Sequence, residues 1–162
     1  MKKMKFLSAA FLLLAASFSA CSPSKVASTE GGNVNIRGTW TVSNVDVEGV
    51  SKNGLRVTVF DDALYTCYVG STWNLAPNGN GTYSVPASGQ DCTGGERKIY
   101  WSMQNADGVR YFQFKNIGDN KAKNVTDGYR LEVRSLTASS MQLQSPVNFE
   151  GKTVYIVYSF TR

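Results

Sequence analysis

Apolar and polar residues alternate along most of the chain from Ile36 onward, as they do in β-strands that bury one face. The first such stretch places Ile36, Trp40 and Val42 on one face. The apolar residues then move from even to odd positions, at Val45 and Val47, and so to the opposite face. Because one extra residue moves every later side chain to the other face, this change predicts a β-bulge or a bend within a long first strand.

Further alternating stretches follow, and turns rich in Gly, Asn, Asp and Pro separate them. The clearest hairpin is predicted around Asp107-Gly108. The predicted strands after the first lie within residues 55–59, 73–75, 83–85, the 98–115 hairpin, 129–134, 141–144 and 154–160. Short connections favour sequential antiparallel neighbours, and closure removes exposed edges. We therefore expect an all-β fold, a single antiparallel up-and-down β-barrel of about eight strands.

Aromatic residues are abundant, with eight Tyr, eight Phe and three Trp in the chain. A β protein of this kind packs rings into its interior. Five residues on apolar strand faces are predicted to line the barrel: Trp73, Tyr83, Trp101, Tyr129 and Met141. An eight-stranded barrel is either filled by its own side chains or holds one small ligand, so both outcomes stay open.

The beginning of the chain has the pattern of a secretory signal peptide. Lysines at positions 2, 3 and 5 precede an apolar run, and small residues lead into Cys21. The pattern is typical of a lipoprotein signal, in which the peptidase cuts before a lipid-modified cysteine. We predict a signal peptide at 1–20, lipid attachment at Cys21, a lipidated flexible tether at 21–35 and a barrel domain at 36–162. The alternative is a secreted protein with one unpaired cysteine.

The charge of the chain gives no indication of nucleic-acid binding. Three of the 17 Lys and Arg residues precede Cys21 and none of the 12 Asp and Glu residues does, so the remaining chain carries a net charge of +2. Lys115, Lys121 and Lys123 come nearest to a basic cluster, but Asn, Gly and Asp interrupt them. We interpret these lysines as part of a solvated loop.

Two cysteines remain once Cys21 is assigned to the lipid. Cys67 and Cys92 are predicted to form a disulfide, because disulfides persist in an oxidising compartment. The pair needs Cα atoms within about 7 Å, which the sequence does not establish. A metal site is not expected, since two cysteines without histidine supply too few ligands for zinc.

The absence of histidine excludes Ser-His-Asp and Cys-His catalysis and histidine-ligated metals. Asp61-Asp62 is the only adjacent pair of acids and is interpreted as a turn, with a part in a calcium site as the alternative. The sequence singles out no carboxylate pair suited to acid–base catalysis. We therefore expect a protein that is not an enzyme and that uses no cofactor.

The motif Gly38-Thr39-Trp40 lies on the predicted first strand. Further characteristic segments are 67–75, 80–83, 128–131, 141–143 and 155–162. In these motifs the chain resembles the lipocalin-like domain lipoproteins of gut bacteria, which have a calycin-like β-barrel, and the resemblance covers about residues 36–162. It implies that Trp40 closes the base of the barrel and that Arg162 packs across it. Gly38, Trp40 and Arg162 would then be structural residues that touch no ligand.

These observations favour a lipid-anchored lipocalin-like binding protein that holds a small apolar or aromatic ligand in its barrel. The alternative is an interaction protein with a filled barrel that binds a partner protein or a glycan through its loops. For that alternative, Tyr155 and Val157 are expected to form an outward apolar patch. Ser22 after Cys21 favours the outer membrane, and the absence of a dense acidic cluster in residues 22–30 slightly favours its periplasmic side over the cell surface. Contact with the membrane is expected through the lipid alone.

Overall fold

The computed structural model of the chain describes residues 34–89 and 91–162. The predicted signal peptide and Cys21 lie outside the described residues, as does nearly all of the tether. Within the described part the fold is all-β, with ten strands and two short 3₁₀ segments. In chain order the strands are β1 Gly38–Glu48, β2 Thr58–Val59, β3 Ala63–Leu64, β4 Thr72–Leu75, β5 Asn80–Val85, β6 Gly95–Ala106, β7 Val109–Asn116, β8 Tyr129–Leu136, β9 Ser140–Phe149 and β10 Lys152–Thr161, and the 3₁₀ segments are Tyr65–Tyr68 and Ala122–Asn124.

Eight of these strands form a closed antiparallel barrel in the order β1-β10-β9-β8-β7-β6-β5-β4. The predicted fold class is therefore confirmed. The strand β1 closes the barrel, because its first residues pair with β4 while the rest pairs with β10. Its register on β10 shifts between Val42 and Asn44, which confirms the irregularity predicted from the change of apolar parity.

The β6–β7 hairpin turns at Asp107-Gly108, as predicted. Both residues have positive φ, +52° and +78° respectively, which is the geometry of a tight two-residue hairpin turn. The strand predicted over 55–59 is wrong in extent, because only Thr58–Val59 is a strand and it pairs with β3 outside the barrel wall. The apolar residues of this segment are buried against the barrel core rather than within its wall.

Trp40, near the beginning of β1, is fully buried. Its indole Nε1 donates a hydrogen bond to the Ile36 carbonyl at 2.7 Å. The Arg162 guanidinium lies over the Trp40 ring, 4.2 Å from its centroid. Arg162 also donates to the backbone carbonyls of Arg37, at 2.8 Å, and Asn35, at 3.0 Å. Gly38 begins β1 beside this guanidinium.

Candidate functional site

The five residues predicted to line a cavity point into the barrel interior. Trp73, Tyr83, Trp101 and Met141 are buried, and Tyr129 is partly buried against the same core. Trp73 and Tyr83 stack with ring centroids 4.5 Å apart. Three of these rings also pack on the buried rings of Phe112 and Phe114, so aromatic side chains fill much of the barrel interior.

A phenylalanine from outside the wall completes this aromatic core. Three residues join β2 to β3. Phe60 and Asp61 have positive φ, +57° and +47°, and the Asp62 amide closes a β-turn by donating to the Val59 carbonyl at 3.1 Å. We call residues 60–62 the plug. The Phe60 ring is inserted among five rings, with centroid distances of 5.0 to 6.5 Å to Tyr68, Trp73, Phe114, Tyr129 and Tyr158.

The Asp62 carboxylate fixes the plug to the barrel. It accepts hydrogen bonds from the hydroxyls of Tyr68 and Tyr83, each at 3.0 Å. It also accepts from Nε and Nη2 of Arg97, at 3.0 and 2.9 Å. The side chains of Arg97 and Asp62 are only 19% and 15% exposed, so solvent screens this ion pair little.

Two further bonds reach the plug from neighbouring strands. The Asn116 side-chain amide donates to the Phe60 carbonyl at 3.2 Å, and the Tyr129 hydroxyl donates to the Asp61 carboxylate at 3.0 Å. The side chains that bind the plug thus come from β5, β6, β7 and β8 as well as from the 3₁₀ segment that follows β3. These contacts hold Phe60 in the interior of the barrel.

The phenols around the plug are all kept neutral. Burial, together with the Asp62 carboxylate, raises the pKa of Tyr68 and of Tyr83 well above the usual value. Burial raises the pKa of Tyr158 in the same way. Burial and the hydrogen bond to the plug raise the pKa of Tyr129 to about 12. These hydroxyls therefore stay protonated, and able to donate hydrogen bonds, throughout the physiological pH range.

The disulfide predicted between Cys67 and Cys92 is confirmed, with Cα atoms 5.4 Å apart. It joins the 3₁₀ segment Tyr65–Tyr68 to the connection between β5 and β6. Tyr68 belongs to that segment and donates a hydrogen bond to Asp62. The disulfide therefore restrains a segment that binds the plug.

Outside the barrel, the outward faces of β6, β7 and β8 form one side of a groove of about 760 Å³. The connection between β7 and β8 forms the other side. We call this concavity the outer groove. It is lined by Tyr100, Ser102, Gln104, Gln113, Phe114, Lys115, Lys121, Ala122, Lys123, Thr126, Gly128, Tyr129 and Arg130.

The outer groove is basic. Four of its lining residues are Lys or Arg, and no carboxylate is among them. Lys115 donates to the Val125 carbonyl at 2.7 Å and so ties the β7–β8 connection to its strand. Lys121, Lys123 and Arg130 are exposed. The Arg130 guanidinium is held in place by stacking over a tyrosine ring of β7, 3.7 Å from the centroid.

The groove also presents an exposed aromatic ring. Tyr100 is 39% exposed, although it lies on a strand whose other face is buried. Its ring packs against Gly79, where a Cβ atom would come within 2.9 Å of the ring. Gly79 also has a φ of +84°, which favours glycine. The absence of a Cβ atom at this position therefore leaves room for the Tyr100 ring next to the backbone.

The pattern of residues along the chain does not predict this groove, and it indicates only a solvated loop for Lys115, Lys121 and Lys123. The signal available in the sequence was Tyr100, an aromatic residue on the polar face of the β6 alternation. The register then places Tyr100 opposite Lys115.

Of the two residues expected to form an outward apolar patch, only Tyr155 is exposed. Val157 is only 4% exposed, while Tyr155 is 38% exposed. In the strand register Val157 lies between Asp46 and Gln144, and these longer polar side chains flank it. Tyr155 alone does not make an extended apolar surface.

Three further results concern metal sites, membrane-spanning helices and similarity to known proteins. Within 34–89 and 91–162, no three Cys, Asp or Glu side chains are grouped to hold a metal ion. No helix in the described part is long and apolar enough to cross a membrane. Comparisons with protein-family models, curated proteins and solved structures gave no match to this chain.

Proposed function

We propose that this chain is a non-enzymatic binding module of the cell envelope, in which the filled barrel is a rigid scaffold and the outer wall carries the binding surface. The observation that carries this proposal is the packing of the interior. Of the residues expected to line a cavity, Trp73 stacks on Tyr83, and both Trp73 and Tyr129 contact the inserted ring of Phe60.

Access to the two candidate regions differs sharply. A ligand entering the barrel would have to displace Phe60 and break the bonds between Asp62 and its partners, Tyr68, Tyr83 and Arg97. The outer groove is open to solvent and requires no such rearrangement. Pre-formed concave sites of about 300–1,000 Å³ are the usual size of ligand pockets, and the outer groove lies within that range.

Native mass spectrometry of the chain purified from its own host tests the proposal. We expect the mass of the oxidised polypeptide with its modifications and no small apolar adduct. A stoichiometric apolar adduct that is released only on denaturation would contradict a filled barrel.

The anchoring part of the proposal places a lipid on Cys21 and the domain at the outer membrane, on its periplasmic side. It is supported by the sequence pattern before Cys21. Replacement of Cys21 by Ser is expected to abolish incorporation of labelled fatty acid and to release the protein from the membrane fraction. Retention of the label in that variant would contradict the assignment.

A second candidate is a ligand site inside the barrel that opens when the plug withdraws. It is favoured by one observation: the Tyr158 hydroxyl and Asn116 Oδ1 are buried with no hydrogen-bond partner among the described residues. Both belong to residues in contact with Phe60. If the plug withdraws, Arg97→Gln, which removes the ion pair to Asp62, should strengthen binding of an apolar fluorescent probe. Absence of probe binding to both proteins would contradict this candidate.

A further inference from the structure

We infer that the outer groove binds an acidic polysaccharide, with its carboxylate or sulfate groups on the groove's cations and a sugar ring on Tyr100. This inference rests on the proposed function, because it names the ligand class of the outer wall. The barrel interior plays no part in the binding.

Positive charge is concentrated in the outer groove. The chain after Cys21 is nearly balanced, with a net charge of +2, yet the groove contains Lys115, Lys121, Lys123 and Arg130 without a carboxylate. Lysine and arginine side chains are donors only, and they form their strongest hydrogen bonds with anionic oxygens. An excess of cations in one concavity therefore selects an anionic ligand.

The outer groove is also lined by neutral polar side chains. Ser102 and Gln113 are opposite each other in the strand register, and Gln104 follows on the same face of β6. Hydroxyl and amide groups both donate and accept hydrogen bonds, as sugar hydroxyls do. A simple inorganic anion would leave these groups unused, whereas a saccharide would engage them.

The outer groove also contains the aromatic ring of Tyr100. The exposed Tyr100 ring packs against the backbone at Gly79. A tyrosine side chain has few rotatable bonds, so its ring supplies contact area to an apolar sugar face at little cost in side-chain entropy.

The shape of the site favours a chain-like ligand over a membrane surface. The connection that contains Lys121 and Lys123 forms one wall of the groove, and β6 and β7 form the other. A planar bilayer reaches only the rims of such a concavity, whereas a polysaccharide enters it. Anionic lipid headgroups are the competing source of negative charge and are included in the test.

The test measures binding of the full chain in detergent to polygalacturonate and chondroitin sulfate, with dextran as the neutral control. We expect saturable binding to both acidic polymers, none to dextran, and weakening by salt because the charges are exposed. The double variant Lys121→Gln/Lys123→Gln should weaken binding at least about tenfold, since it removes two of the four cations that line the groove. Tyr100→Ala should weaken it by a similar factor.

A matched control removes two exposed lysines outside the groove. Lys52→Gln/Lys152→Gln changes the net charge equally and should alter binding by less than about twofold. Equal losses in the two double variants would overturn the inference, because they would show nonspecific charge attraction. Binding to vesicles with anionic lipid but not to the acidic polymers would overturn it as well.

Failure of this inference can be distinguished from failure of the proposed function. If neither acidic polymer binds and an apolar probe does not enter the barrel, the ligand class is wrong while the filled scaffold stands. If an apolar probe binds inside the wild-type barrel, the proposed function fails whatever the polymers do.

Discussion

Replacement of Phe60 by Ala tests whether the plug is part of the cooperative core. Phe60 is 6% exposed and lies near five other rings. Truncation of a buried Phe costs about 3–5 kcal/mol through lost transfer energy and the cavity left behind. Because four of the five surrounding rings lie on barrel strands and have little room to relax, we expect about 4 kcal/mol.

A second variant at the same position tests the backbone geometry. Phe60 has a φ of +57°, which costs a non-glycine residue roughly 1–2 kcal/mol, and alanine retains that cost. Phe60→Gly should therefore be about 1 kcal/mol more stable than Phe60→Ala. At an ordinary strand position the order would be reversed, because glycine loses more backbone entropy on folding.

Urea denaturation followed by tryptophan fluorescence measures both differences in the free energy of unfolding. Phe60→Leu, which keeps most of the volume, is the control and should cost less than about 1.5 kcal/mol. A loss below about 1 kcal/mol for Phe60→Ala would refute the reasoning, since it would mean that the ring is already outside the core in solution.

Three further predictions concern the rest of the barrel. Removal of the disulfide by Cys67→Ala/Cys92→Ala should lower the free energy of unfolding by about 3.5 kcal/mol, because the cysteines are separated by 25 residues; an unchanged urea midpoint would contradict this. Arg162→Ala should cost about 2 kcal/mol, since it removes the contact with Trp40 and the hydrogen bonds to backbone carbonyls, and thermal unfolding measures the loss. Alkaline pH should destabilise the fold: the pKa of Tyr129 rises from 10.0 to about 12 in the folded protein, so its contribution is complete below pH 10 and is lost between pH 10 and 12. Tyrosinate absorbance should show late ionisation of the buried tyrosines, and simultaneous ionisation of all tyrosines near pH 10 in the folded protein would contradict the assignment.

The alternation of residues predicted the barrel wall because its information is local. The bulge after Val42 followed from a change of parity, and the β6–β7 hairpin followed from Asp107-Gly108. The plug could not be predicted in this way. The Asp61-Asp62 pair indicates a turn after Phe60, but the insertion of the Phe60 ring depends on contacts made across the barrel, for which the local pattern carries no signal.

The candidate site was harder to predict than the fold for a different reason. The outer groove combines residues from three strands and one connection, and only the strand register brings them together. Lys121 and Lys123, taken alone, do not differ from other solvated lysines. Within the groove, Tyr100 is an aromatic residue on the polar face of a strand. Only the strand register shows that Lys115 lies opposite it.

The double pairing of β1 has a consequence for the order of events in folding. Residues of β1 pair with residues of β10 that follow about 120 positions later, as in the pair Thr41 and Thr161. A nascent chain therefore carries an unpaired, aggregation-prone β1 edge until β10 has been synthesised. High contact order of this kind slows folding, and the barrel cannot close before β10 has been synthesised.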